Sequence, residues 1–167
     1  VVGGVAERAP DAAAGTLSLR PRTDAWATLA DVRDVLDGRR PGRLVCALGA
    51  DQFRGTAPTR YARRGHIPGS ANLPARALTG PDGTLLAPPL LRAAVAPLLD
   101  AGPLVLYCGG GISASHLALG LVVAGAREVS VYDGSLEEWS ARPDLPLVTA
   151  GAEPAPPLAA HGGTTGR

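Results

Sequence analysis

Pro103-Leu104-Val105-Leu106-Tyr107-Cys108-Gly109-Gly110-Gly111-Ile112-Ser113-Ala114-Ser115-His116 is the stretch whose reading decides the fold of this chain. Residues 103–107 are a short apolar run with the length and bounding of a buried strand, and residues 114–123 read as the helix that follows. A thiol therefore stands at the carboxyl end of a strand and ahead of a helix N-terminus, which in an α/β sheet is where ligands bind. Glycines let the backbone turn back on itself and aim successive N–H groups inward. Together with the positive end of the helix dipole, those groups favour a thiolate over a thiol. The pattern predicts a sulfur nucleophile, Cys108, cradled by the loop Gly109, Gly110, Gly111, Ile112 and Ser113.

The flanking sequence repeats the alternation. Thr28 to Leu36 sets Leu29, Val32, Val35 and Leu36 on one helical face, with Gly38 as the stop. Leu44 to Leu48 predicts a core strand, Ser70 to Pro74 a short strand, Leu90 to Leu99 a helix and Glu128 to Tyr132 a last strand. Strands alternating with helices indicate an α/β fold, a central parallel sheet with helices on both faces. Between them, residues 49–69 read as a loop dense in arginine, with Asp51, Gln52, Arg54, Arg60, Arg63 and Arg64. Residues 1–24 read as a linker or the tail of an upstream domain, 25–148 as the folded domain and 149–167 as a disordered tail.

Composition narrows the chemistry. The chain has 167 residues and a formal charge of +1, enough for one cored domain and too balanced for a nucleic-acid or anionic-membrane partner. All 16 basic residues are arginine, which excludes lysine Schiff-base chemistry. Two cysteines are too few for a disulfide scaffold and fit a reducing compartment, the cytoplasm. The longest apolar stretch, Leu117 to Ala126, is too short to span a bilayer. The start Val1-Val2 and the lack of methionine suggest a fragment of a longer product.

Two loop chemistries fail on single residues. A phosphatase loop needs arginine where Ala114 stands, and a nucleotide P-loop needs a lysine. No His/Cys/Asp cluster has metal-ligand spacing. His66 between Gly65 and Ile67-Pro68-Gly69 reads as a turn-ordering residue, His116 as structural, and Asp133 as a turn and helix-start residue. Trp26 and Trp139 read as packing residues, and Cys46 as a small buried hydrophobe.

What remains is sulfur transfer. Tyr107 to His116 resembles the active-site loop of rhodanese-type sulfurtransferases. Asp51-Gln52-Phe53-Arg54-Gly55 resembles that family's substrate segment, Gly65 to Pro74 its Gly-His-Ile-Pro-Gly signature, and Tyr132-Asp133-Gly134-Ser135-Leu136-Glu137-Glu138-Trp139 its closing motif. The resemblance covers roughly residues 28 to 147, and implies a rhodanese-like domain like the second, active-cysteine half of a tandem protein. An upstream rhodanese-like domain would then be the partner lying outside this sequence.

The resemblance also implies a mechanism. Cys108 would take a sulfane sulfur from a small anionic donor, 3-mercaptopyruvate or thiosulfate, as a persulfide and pass it to a thiol or cyanide, with no cofactor and no metal. Arg60, with Arg54 as second choice, would orient the donor beside Gln52. Three departures from the family bear on turnover. Cys46-Ala47-Leu48 replaces an Asp-x-Arg strand end, Gln52 replaces a substrate-side arginine, and Gly110 replaces the loop serine of the mercaptopyruvate group. They support the alternative of a rhodanese-like binding or regulatory module with little turnover. As an enzyme, the chain is expected to prefer 3-mercaptopyruvate.

Overall fold

A strand covered on both faces needs an apolar run, not alternation, and the sequence supplies two, residues 44–48 and 103–107, and a third, residues 129–132, broken only by Ser130. The computed structural model, which describes residues 15, 16, 18, 19 and 22–150, arranges them side by side. In chain order the elements are β1 Trp26–Ala27, α1 Leu29–Leu36, β2 Arg43–Cys46, α2 Ala50–Phe53, β3 Ala71–Asn72, α3 Pro88–Leu99, β4 Leu104–Tyr107, α4 Ile112–Ala124, β5 Val129–Tyr132 and α5 Ser135–Ser140. Short 3-10 turns lie at Thr23–Ala25 and Ala75–Leu78. All pairings are parallel, in the order β1-β5-β4-β2-β3. Every residue of β4 and β5 is buried, as are the last three of β2. β4, which delivers Cys108, is thus the middle strand. Residues 1–14 and 151–167, to which the linker and tail readings chiefly refer, lie outside the described residues.

Several boundaries differ from expectation. α4 begins at Ile112, two residues earlier than read, because Gly111 at φ +83° completes the turn and the chain is already helical beyond it. Ile112 and Ser113 are therefore first-turn helix residues with free N–H groups, not loop. α3 starts at Pro88, where a missing N–H is harmless. The strand expected over 70–74 shrinks to Ala71–Asn72, and the arginine-rich stretch holds the short helix α2. β1 is too short to show a period in sequence. Trp26 on that edge strand is 60% exposed, against the packing role expected of it, whereas Trp139 is fully buried and donates Nε1–H to Pro146 O at 2.9 Å.

Three local devices fix segments around the sheet. Thr28 caps α1: its Oγ1 accepts from Asp31 N at 3.2 Å while the Asp31 carboxylate accepts from Thr28 N at 2.7 Å. Tyr107 pins residues 65–70 beneath the sheet end. Its buried Oη accepts from Ile67 N at 3.0 Å and donates to Ser70 Oγ at 2.9 Å. His66 stacks on Phe53 with ring centroids 3.6 Å apart, and its Nδ1 meets Phe53 O at 2.8 Å, so it ties this segment to α2. Burial lowers the His66 pKa, against a smaller opposite effect of the Phe53 carbonyl.

Gly65 has φ +113°, and a Cβ there would run into the carbonyl of Val148, which accepts from His66 N. Gly65→Ala should lower stability by about 3 kcal/mol or more, left-handed strain adding to a backbone clash. Gly83→Ala, at φ +80° with open space around it, should lose only about 1 kcal/mol. Thermal denaturation of the two variants measures the difference.

Candidate active site

Cys108 follows β4 directly and is only 2% exposed. Its loop is held by the start of α5. Ser135 Oγ accepts from Cys108 N at 3.1 Å and Gly111 N at 3.2 Å, and donates to Tyr132 O at 2.8 Å. In the opposite direction Leu136 N donates to Cys108 O at 3.1 Å and Glu137 N to Gly109 O at 2.8 Å. Gly111 O is taken by Ser115 N at 2.9 Å and Ser115 Oγ at 3.0 Å. These bonds satisfy the carbonyls of Cys108, Gly109 and Gly111. The amides of Gly109, Gly110, Ile112 and Ser113 have no acceptor among the described residues.

Side chains lie close around the loop. A Cβ at Gly111 would collide with Asp133 Oδ1, at a backbone φ that already favours glycine. One at Gly109 would lie 3.0 Å from Tyr61 Cε1, and one at Gly110 3.1 Å from Glu137 Cδ. Ser135 itself has φ +47°, the lone positive value for a non-glycine among the described residues, and this bend turns its hydroxyl back toward the loop.

Over the thiol opens a cleft of about 490 Å³, lined by Leu48, Gln52, Pro58, Thr59, Arg60, Tyr61, Cys108, Gly109, Gly110, Ile112, Ser113 and Glu137. Of the residues expected from sequence, Cys108, four of its five cradle residues, Arg60 and Gln52 meet here; the fifth, Gly111, is buried behind the loop. Arg54 does not line the cleft: its Nη2 pairs with Asp51 Oδ1 at 2.6 Å. Arg63 is spent on Ser140 O at 2.9 Å, Arg142 O at 2.6 Å and Leu145 O at 2.9 Å, closing the carbonyl end of α5. His116 faces away from this cleft into a neighbouring one, its Nε2 3.0 Å from Thr79 Oγ1.

Three contributors escaped the sequence reading. Ser135 was quoted in a motif without a role, although Asp-Gly-Ser before a helix signals a turn whose hydroxyl needs a backbone partner. Glu137 was quoted in the same motif without a role and Tyr61 lies in no motif, and only the packing of α5 and residues 58–61 over the loop brings them in.

Cys46 lies at the end of β2, fully buried, with its carbonyl accepting from Asn72 Nδ2 at 3.0 Å and Leu73 N at 3.1 Å. Burial pushes its thiol up to about 12, outweighing the hydrogen bonds that act the other way. Both cysteines are free. No group of side chains among the described residues could hold a metal ion.

A sequence model described as "Rhodanese-like domain" matches residues 21–142. Human 3-mercaptopyruvate sulfurtransferase is 36% identical over 123 residues, covering 70% of this chain and 41% of that protein. The Arabidopsis thaliana thiosulfate/3-mercaptopyruvate sulfurtransferase 1, mitochondrial, is 40% identical over 108 residues, covering 62% and 28%. The Mycobacterium tuberculosis putative thiosulfate sulfurtransferase SseB is 34% identical over 106 residues, covering 62% and 37%. The chain thus spans about two fifths or less of the length of these relatives. Among solved structures, the anaerobic ergothioneine biosynthesis enzyme of Chlorobium limicola, in complex with trimethyl histidine, superposes with a TM-score of 0.66 at 25% identity, covering 77% of this chain and 32% of that one. Wild-type EanB gives 0.66 at 23% identity with the same coverage.

Ser135→Ala leaves two amides without their acceptor, and should cost about 1–3 kcal/mol while speeding hydrogen exchange at Cys108 and Gly111. Ser135→Gly relieves the positive φ but not the lost bonds, so its exchange should rise equally. Equal protection in parent and variants would show that Ser135 does not hold the loop. Separately, iodoacetamide near pH 8 should label Cys108 in the native protein and Cys46 only after unfolding, which peptide mapping reads directly.

Proposed function

This chain belongs to the rhodanese-like domain family, and from that membership we propose that it is a sulfurtransferase carrying a sulfane sulfur on Cys108. The observation that carries the reading is the cleft. Cys108 shares it with loop amides that have no acceptor among the described residues and with Arg60, which places a thiol and a cation in one cleft. The Cys108 thiolate attacks the sulfur of 3-mercaptopyruvate, forming an S–S bond as the C–S bond breaks. The released electron pair becomes the enolate of pyruvate, which takes a proton. An acceptor thiolate or cyanide then attacks the outer sulfur, and Cys108 leaves as thiolate. The route involves no net change of redox state in the protein and requires no cofactor.

The protein's own groups divide the work. The amides of Gly109, Gly110, Ile112 and Ser113 would stabilise the anionic sulfur, the kind of fixed dipole that stabilises developing charge without reorganising. Arg60 would hold the donor's carboxylate, with Gln52 as a neutral hydrogen-bonding neighbour. Arg54 could join only by leaving Asp51. Glu137 lies against Gly110, on the flank where the mercaptopyruvate group carries its serine, and its negative charge opposes a compact dianion close to Cys108. Donor preference therefore goes to 3-mercaptopyruvate over thiosulfate. Free thiols at positions 46 and 108 fit a reducing compartment such as the cytoplasm. An upstream rhodanese-like domain is proposed as the structural partner, from the resemblance of this chain to the active-cysteine half of a tandem protein.

Gln52, Gly110 and Glu137 also favour the competing reading, a rhodanese-like module that binds without efficient turnover. Mass measurement separates the two. Incubated with 3-mercaptopyruvate, the parent should gain one sulfur atom, and Cys108→Ser should fold and gain none; an unmodified parent would support the binding module. Glu137→Gln should raise kcat/KM for thiosulfate about five- to tenfold, the effect of removing one like charge at a partly solvated site, and change mercaptopyruvate turnover less.

A further inference from the structure

Of the chain's three tyrosines, two have hydroxyls with clear partners: Tyr107 Oη bonds Ile67 N and Ser70 Oγ, and Tyr132 Oη donates to Glu138 Oε2 at 2.7 Å. Tyr61 Oη is fully buried and has no hydrogen-bond partner among the described residues. Buried polar groups are paired so consistently that an orphan points to a partner that arrives later. The other orphan, Ser140 Oγ, sits at the end of α5 and lines none of the clefts described above. Tyr61 lines the Cys108 cleft. Its ring lies on Gly109: a Cβ there would fall 3.0 Å from Tyr61 Cε1 and 3.6 Å from Oη. An acceptor formed beside Cys108 and Gly109 would lie within reach of this hydroxyl and supply its partner.

We infer that the Tyr61 hydroxyl donates a hydrogen bond to the outer sulfur of the Cys108 persulfide, and so sets that sulfur's charge and reactivity. A persulfide extends about 2.0 Å beyond the cysteine sulfur and presents an acceptor that the bare thiol does not. Burial first, then the neighbouring Cys46, Cys108 and Glu137, pushes the Tyr61 hydroxyl up to about 12, with Arg60 opposing, so it remains a neutral donor through the working pH range. Tyr61 transfers no proton. It stabilises the anionic sulfur formed when the donor's C–S bond breaks, and it adds a side-chain donor to the backbone cradle at the point where Gly110 supplies none. The inference rests on the persulfide route proposed above.

The test loads the parent and Tyr61→Phe with 3-mercaptopyruvate and follows alkylation of the outer sulfur by iodoacetamide against pH, read by intact mass. Arg60, Glu137, Cys46 and Cys108, the titratable groups facing Tyr61, are unchanged in both proteins. The phenylalanine variant should load, and its midpoint should rise by one to two pH units, the ten- to hundredfold effect of one hydrogen bond to a charged group. Its unloaded form should be at least as heat-stable as the parent, since no orphan hydroxyl is left buried. If the variant does not fold, fluorotyrosine at position 61 keeps the ring and strengthens the donor, and it must lower the midpoint. Equal midpoints in loaded parent and variant overturn this inference alone. A parent that acquires no sulfur overturns the sulfurtransferase reading and this inference together.

Discussion

The cleft depends on one reciprocal contact, between the Cys108 loop and the first turn of α5. Ser135 Oγ holds the amides of Cys108 and Gly111 from one side, while Leu136 N and Glu137 N hold the carbonyls of Cys108 and Gly109 from the other. The first N–H groups of a helix have no intrahelical acceptor. α5 spends two of them on the loop, and in return the loop is fixed with its remaining amides free. A loop of three glycines would otherwise sample many shapes, because each glycine has little intrinsic preference. The constraint lies in α5, twenty-seven residues from the thiol it serves.

Charge in the cleft follows from which arginines the fold consumes. The segment from Asp51 to Arg64 is rich in arginine, yet Arg54 is neutralised by Asp51 and Arg63 closes the end of α5. Arg60 is the arginine that lines the cleft with Cys108, and Glu137 lines it from the opposite chain segment. One cation and one carboxylate in the same cleft are the charge pattern on which the proposed preference for a donor charged at one end rests.

Some of this was legible in the residues alone. β2 from Leu44 onward and β4 read as apolar runs and β5 as a valine- and tyrosine-rich run broken only by Ser130, so all three were visible, and the glycine run after β4 marked Cys108 as the candidate nucleophile. His66 was readable as a turn residue because histidine among glycines and proline has more backbone partners than catalytic ones, and its bond to Phe53 O is of that kind. Boundaries were less legible where a single dihedral decides them: Gly111 moved the start of α4 to Ile112, and the two-residue β1 and β3 are too short for periodicity. Trp26 was misread because an aromatic side chain does not reveal whether its strand lies at an edge.

The sequence by itself determined the parallel α/β architecture, the place of Cys108 at a strand end, the glycine loop after it and the presence of an arginine-rich segment between β2 and β3. Those features are local, carried by hydrophobic runs and by residue types whose backbone preferences are intrinsic. The tertiary structure decided which arginine reaches the cleft, that Glu137 stands against Gly110, that the Tyr61 hydroxyl is buried with no partner among the described residues, and that Ser135 braces the loop. Each of these is a contact between segments far apart in the chain, set by the register of β4 beside β5 and by how residues 58–61 pack over the loop. No periodicity or short motif encodes such a contact, because its energy exists only once the sheet has formed.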